Sequence, residues 1–66
     1  MGYLIVVTDY IEQKTWVVSC YDTNDVYKYF DFLNDTDFIK NFISRGHASI
    51  THTETKYLLL HLEDYI

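Results

Sequence analysis

Two segments near the start of the chain combine β-branched and aromatic residues with little of the three-to-four spacing of a helix. They are YLIVVTDY, residues 3–10, and TWVVSCY, residues 15–21. The pattern predicts an antiparallel hairpin in which Ile11 to Lys14 form the loop and Tyr10 faces Thr15. Pairing in that register places a core set on one face of the hairpin, namely Ile5, Val7, Trp16, Val18 and Cys20. The opposite face carries an unusually apolar set, namely Leu4, Val6, Val17 and Tyr21.

From Thr23 the apolar spacing becomes that of a helix. The stripe of this first predicted helix consists of Val26, Tyr29, Phe30 and Leu33. Thr23 or Asn24 can serve as its N-cap, and Asn34 can end it in a left-handed turn.

A second predicted helix begins after Asp35 or Thr36 and ends at Arg45 and Gly46. Its apolar stripe consists of Phe38, Ile39, Phe42 and Ile43. A cation and a glycine both suit a helix C-terminus. One long bent helix over the whole region is the alternative.

The last third of the chain predicts a second hairpin. HASITHT, residues 47–53, alternates between polar and apolar letters, and KYLLLHL, residues 56–62, is a dense apolar run. A helix over residues 56–66 is the competing interpretation, because leucine and glutamate favour helices.

The length of the second loop decides the register of this hairpin. A two-residue turn at Glu54 and Thr55 sets the leucines opposite serine, threonine and histidine. A three-residue loop over residues 54–56 pairs Ile50 with Leu60 and Ala48 with Leu62. We take the longer loop as the prediction.

These elements predict one domain over residues 1–66 with an α+β fold and the order ββααββ. The first and last strands are the most continuously apolar, so we expect them at the centre of a four-stranded antiparallel sheet of order 2-1-4-3. Both helices would pack on one face. The other face would carry Leu4, Val6, Val17 and Leu59 as an apolar patch suited to a dimer or another partner.

Charge and cysteine content limit the possible partners and compartments. Ten acids against five bases give a net charge of −5, which disfavours direct binding to nucleic acid or to an anionic membrane. The single Cys20 excludes an internal disulfide and, with no signal-like start at Met1, suggests a reducing cytoplasm. The longest apolar run, Tyr3 to Val7, is far shorter than the roughly 20 residues that cross a bilayer.

The acidic charge is concentrated in one segment, DTNDVYKYFDFLNDTD, residues 22–37. It holds five aspartates against one lysine, Lys28. We expect its carboxylates to point outward from the helical stripe, about 5 to 6 Å apart where they are helix neighbours. Tyr27 would share that face and supply apolar contact. The predicted partner-binding residues are Asp22, Asp25, Tyr27, Asp31, Asp35 and Asp37. Acids that merely suit helix starts explain the same pattern without a partner.

The sequence contains no catalytic signature and implies no cofactor, so we expect a protein that is not an enzyme. Cys20 lies on a predicted core strand, where a thiol is inert. Three histidines raise the question of a metal, and the weak zinc candidates are His47, His61 and Glu63. Ordinary surface histidines are the simpler interpretation.

A short, acidic, aromatic-rich single domain resembles, in composition alone, the inhibitors that phages and mobile elements make against host nucleases, anti-CRISPR proteins among them. The resemblance implies a non-catalytic inhibitor that acts in the host cytoplasm. Its acidic helical surface would occupy a basic nucleic-acid-binding groove on a partner protein. One alternative is a homodimeric interaction module that works through the outer sheet face, and another is a small zinc-binding protein.

Overall fold

The computed structural model describes residues 2–65 and has four strands and two α-helices in the order ββααββ. The elements are β1 (Tyr3–Asp9), β2 (Lys14–Cys20), α1 (Thr23–Tyr29), α2 (Asp37–Arg45), β3 (His47–His52) and β4 (Thr55–His61). The strands form one antiparallel sheet in the order β2-β1-β4-β3, and both helices pack on the same face. The predicted α+β fold, strand order and helical layer are confirmed.

The core lies between the helices and one face of the sheet. The sheet contributes Ile5, Val7, Cys20 and Leu59, and the helical region contributes Val26, Phe30, Ile39 and Phe42. Each fully buried large side chain stabilises the fold by roughly 1.5–3 kcal/mol relative to exposure. In a domain this small these eight side chains supply much of the driving force for folding.

The first hairpin has the predicted faces but a different register. Asp9 pairs with Lys14, and Ile5 pairs with Val18, so the loop covers residues 10–13 and not 11–14. The Asp9 carboxylate accepts hydrogen bonds from the backbone N–H groups of Ile11 (3.0 Å) and Glu12 (3.2 Å). This local turn starts the loop one residue earlier than predicted. The pairing is displaced by two positions, which leaves every side chain on its predicted face.

The second hairpin closes differently from both predicted loops. His52 pairs with Thr55, and a two-residue turn at Thr53 and Glu54 connects the strands. The prediction of Leu59 on the outer face is wrong, because Leu59 pairs with Ala48 and is fully buried under the helices. The predicted contacts of Ile50 with Leu60 and of Ala48 with Leu62 are wrong for the same reason, and His47 lies opposite Leu60.

The chain after this turn is a strand and not the alternative helix. β4 runs from Thr55 to His61, and a short 3-10 helix, Leu62–Tyr65, follows it. Residue 66 of the alternative helix lies outside the described residues. β4 is central because it pairs with both β1 and β3. Long-range pairing on both sides therefore overrides the helix propensity of its leucines.

The two helices are separate, and α1 is shorter than predicted, whereas α2 has its predicted bounds. α1 ends at Tyr29, so Leu33 lies beyond it, although it still packs against the core. The positive-φ non-glycine residues of the described chain are Gln13, Thr53 and Glu54, so the predicted left-handed turn at Asn34 is wrong. α2 ends as predicted, with Gly46 at φ 88° donating its N–H to the Phe42 carbonyl at 2.8 Å.

Two residues predicted for the core are exposed. Trp16 is on the helix-covered face of the sheet but remains 44% exposed. The seven residues of α1 span about 10 Å, whereas the seven of β2 span about 23 Å, so α1 covers only part of that edge strand. Ile43, on α2, is 54% exposed and lies on the solvent side of its helix.

Candidate binding surfaces

The acidic segment, residues 22–37, lies on the helical side of the molecule, and its first two aspartates begin α1. Asp22 is the N-cap, in place of the predicted Thr23 or Asn24, and its carboxylate accepts a 3.0 Å hydrogen bond from the Asp25 N–H. The Asp25 carboxylate in turn accepts a 3.2 Å bond from the Tyr21 N–H. This reciprocal arrangement resembles a capping box shifted by one residue. Both acids therefore have a structural task as well as a charge.

The other three aspartates lie between the helices and at the start of α2. Asp35 accepts a 2.9 Å hydrogen bond from the Asp37 N–H, which helps to start α2. The Asp37 carboxylate is 4.0 Å from the Lys40 ammonium, and both side chains are largely exposed. Asp31 is exposed and follows the end of α1, and its carboxylate has no hydrogen bond or ion pair within residues 2–65.

The predicted spacing of helix neighbours applies to few of these acids. Asp25 and Asp37 are within helices, Asp22 is a cap, and Asp31 and Asp35 are in the connecting segment. The acids therefore surround the two ends of a short helix and do not form a regular row along it. The described residues form two ion pairs. Of the five aspartates in the segment, Asp37 alone takes part in one of them. The charge of the segment remains largely unneutralised.

Two aromatic side chains of the acidic segment reach solvent. Tyr27 is 36% exposed on α1, as predicted for the outward face. Phe32, which sequence analysis did not single out, is 49% exposed beside Asp31. Its ring lies 5.4 Å from that of His52 and 5.7 Å from that of Tyr57, so one edge is supported and the other is free. A pattern-based analysis could find Phe32 only by recognising that α1 ends before it.

Cys20 is the one cysteine of the chain and is buried beneath this segment. Burial raises the pKa of its thiol, and the nearby charges of Asp25 and Asp22 raise it further. Each of these influences disfavours the thiolate, which is the reactive form. The environment of Cys20 is therefore the opposite of one that activates a nucleophile.

The register separates the zinc candidates. His61 is on the helix-covered face, where its ring stacks on Phe42 at 4.6 Å and approaches Tyr3 at 5.3 Å. His47 is exposed on the other face, opposite Leu60. His47, His61 and Glu63 therefore do not form the zinc site considered from the sequence, because two histidines on opposite sides of a sheet cannot share one metal ion. Across the described chain no group of three metal-binding side chains comes together.

The second candidate surface is the outer sheet face, defined as the sheet face away from the helices. Its central row runs across all four strands as Val17, Val6, Leu58 and Ser49. The adjacent row is Ser19, Leu4, Leu60 and His47, and the third row is Thr15, Thr8, Lys56 and Thr51. Five aliphatic side chains therefore meet at the centre of this face, with hydroxyl groups around them.

Comparison with known proteins gives no indication of function, so the two surfaces are the features from which a function is inferred. The chain matches no protein-family model, no curated protein and no solved structure. Within residues 2–65, none of the helices has the length and apolar character needed to cross a membrane. Fold and surfaces together define a small α+β domain with a charged helical side and an apolar sheet side.

Proposed function

We propose that this domain is a non-catalytic inhibitor that binds a nucleic-acid-binding protein. Its acidic segment, residues 22–37, occupies the basic groove that otherwise receives the nucleic acid. The domain acts in the cytoplasm of a host cell and is of the kind that phages and mobile elements encode. The compositional resemblance and the single cysteine support this part of the proposal.

The observation that carries the proposal is the unneutralised charge of the acidic segment. Asp22, Asp31, Asp35 and Asp37 are all exposed, and Lys40 is the one cation found within 4.0 Å of any of them in the described chain. Hydrogen bonds at the helix starts hold the carboxylates of Asp22 and Asp35, together with that of Asp25, in place without neutralising them. Fixed, unpaired carboxylates attract a basic surface and lose little side-chain entropy when they bind it.

Exposed aromatic side chains next to the acids add a second kind of contact. Tyr27 and Phe32 offer apolar area on the same side of the molecule as the carboxylates. Aromatic residues are enriched in the central contacts of protein interfaces, whereas charges at the rim mainly direct approach. The irregular placement of the acids favours charge attraction over a phosphate-by-phosphate copy of a nucleic-acid strand.

The first experiment identifies the partner. The domain is immobilised, proteins from a host lysate are captured at about 50 mM salt, and a step to about 500 mM salt elutes those held by charge. Mass spectrometry identifies them, and purified candidates are tested for nucleic-acid binding in the presence of the domain. The expected result is a basic nucleic-acid-binding protein whose nucleic-acid binding falls as the domain is added.

The second experiment tests the segment with two variants of equal charge. The first combines Asp22→Asn, Asp31→Asn and Asp37→Asn, and asparagine keeps the capping oxygen of Asp22. The control combines Glu12→Gln, Glu54→Gln and Glu63→Gln, which removes the same charge elsewhere. At about 0.5–1 kcal/mol per contact, the first variant should bind roughly 10- to 100-fold more weakly. Equal affinity of both variants for the partner would contradict the proposal.

A further inference from the structure

The outer sheet face has a composition that differs from the rest of the molecule. It presents three residues from each of the four strands, and its centre consists of Leu4, Val6, Val17, Leu58 and Leu60. Val17 is 56% exposed although it lies in the central row. The two helices cover the opposite face, and the other four aliphatic side chains at the centre of this face are half-buried. An apolar face of this extent is uncommon on an isolated soluble domain.

The charge pattern of the same face identifies the occupant. The chain has ten acids, but none of them lies at an outward position of the described strands, where Lys56 is the single charged residue. A basic partner therefore has nothing to pair with on this face. Two copies of an acidic chain, by contrast, can approach each other here because the carboxylates of both lie elsewhere.

We propose that the outer sheet face pairs with the same face of a second copy of this chain. Two sheets packed face to face lie about 10 Å apart, with their strands either nearly aligned or crossed. The aliphatic centre of one copy packs on that of the other, with Ser49 inside the contact at the end of the central row, and the hydroxyl-bearing residues of the two outer rows form the rim. The contact is isologous, so it closes after two copies and does not extend into a fibre.

This arrangement also keeps the acidic layers apart. The two helical layers lie on the outside of the dimer, about 30 Å from each other when a helix layer packs about 10 Å from its sheet. That separation is several times the Debye length of about 8 Å at physiological salt. Repulsion between the two acidic segments therefore contributes little, and both segments stay available to partners.

The size of the face predicts how strong the dimer is. Four strands of about seven residues span roughly 19 by 23 Å, and with side-chain relief two copies bury on the order of 1,000 Å² in total. This is the low end for specific interfaces, so the dissociation constant is expected on the order of 10 µM. The dimer is therefore best sought between about 1 and 500 µM of protein.

The test is sedimentation equilibrium of the full chain and of matched variants. Val17→Asp places a charge in the central row of the outer sheet face, and Ile43→Asp places the same charge on α2, at nearly the same exposure (54% against 56%). The wild type and Ile43→Asp should dimerise alike. Val17→Asp should raise the dissociation constant at least about a hundredfold, because the symmetric contact buries the unpaired charge twice.

A second variant keeps the inference falsifiable should Val17→Asp fail to fold. Ser49→Asp lies at the other end of the central row, is exposed and removes no apolar group, so it should fold normally and also be monomeric. Circular dichroism verifies the fold of every variant. A wild type that stays monomeric at 500 µM, or a folded Ser49→Asp protein that dimerises like the wild type, would overturn the proposal.

Discussion

The turn between β3 and β4 holds two residues in a backbone conformation that their side chains disfavour. Thr53 has φ 51° and Glu54 has φ 59°, which is the left-handed region at both positions of a two-residue hairpin turn. Such turns normally contain Asn-Gly or a related pair. Threonine is β-branched and is a particularly poor choice at positive φ. The Glu54 carbonyl also accepts a 3.1 Å hydrogen bond from the Tyr10 N–H, which ties the two hairpin loops together.

Replacing the pair by Thr53→Asn and Glu54→Gly should therefore stabilise the domain. A left-handed conformation costs a non-glycine residue roughly 1–2 kcal/mol, and the substitutions relieve this strain. Glycine also increases the conformational entropy of the unfolded chain, which offsets about 0.5–1 kcal/mol of the stabilisation. The expected net increase in the free energy of unfolding is about 1–2 kcal/mol. For a chain of this length that raises Tm by roughly 5–15 °C.

Urea unfolding, followed by circular dichroism and by Trp16 fluorescence, measures the change at constant m-value. Gln13→Gly is the control, because Gln13 also has a positive φ of 57° but is not β-branched. Its gain should be about 0.5 kcal/mol or less, since the relief of strain and the entropy of glycine nearly cancel. A double variant that is no more stable than the wild type would refute the assignment of strain to this turn.

The buried aromatic cluster, the end of α2 and the buried thiol give three further outcomes. Phe30→Ala removes a fully buried ring that contacts four other aromatic rings, so it should lower the free energy of unfolding by about 3–5 kcal/mol. Phe32→Ala removes a half-exposed ring and should lower it by about 1 kcal/mol. Similar losses for the two variants in urea unfolding would contradict this packing. Gly46→Ala should cost about 1 kcal/mol, although nothing lies within 4 Å of the added Cβ, because φ is 88°; an unchanged Tm would show that the backbone relaxes. Because burial and nearby carboxylates raise the pKa of the Cys20 thiol, the folded state binds its proton more tightly, so stability should fall as pH rises above about 8.5. In thermal melts, the Tm of the Cys20→Ala variant should fall less between pH 7 and pH 10 than the Tm of the wild type. An identical fall for both proteins would contradict the link between the thiol and stability.

Periodicity alone was sufficient for the architecture. The alternating and helical stripes predicted the order ββααββ, and the two most apolar strands were correctly placed at the centre of the sheet. The first hairpin kept its predicted faces because a shift of two positions preserves the alternation of side chains. The second hairpin did not keep its predicted faces, because Thr53 and Glu54 are not the residues that usually indicate a turn. The predicted register was wrong by an odd number of positions, which placed Leu59 on the opposite face from the one observed.

Local capping chemistry was only partly readable from the sequence. An aspartate followed three residues later by an acid, as in Asp22 and Asp25, is a recognisable start signal, and it identifies the N-cap better than Thr23 does. Asp9 before a polar loop is a similar signal for the first turn. Exposure of Phe32 could not be read this way, because it depends on where α1 ends and on how Tyr57 packs.

The sheet separates two kinds of surface chemistry, and this separation makes the two proposals independent. Acids such as Asp22 and Asp31 lie on the helical side, whereas the outer sheet face bears none at its strand positions. Asp31→Asn therefore changes charge without touching the aliphatic rows, and Ser49→Asp changes those rows without altering a cap. Binding of a basic protein should respond to the first change alone, and self-association to the second alone. If each change affected both processes, the two surfaces would have to be coupled through the sheet and the core that they share. The two proposals would then not be independent.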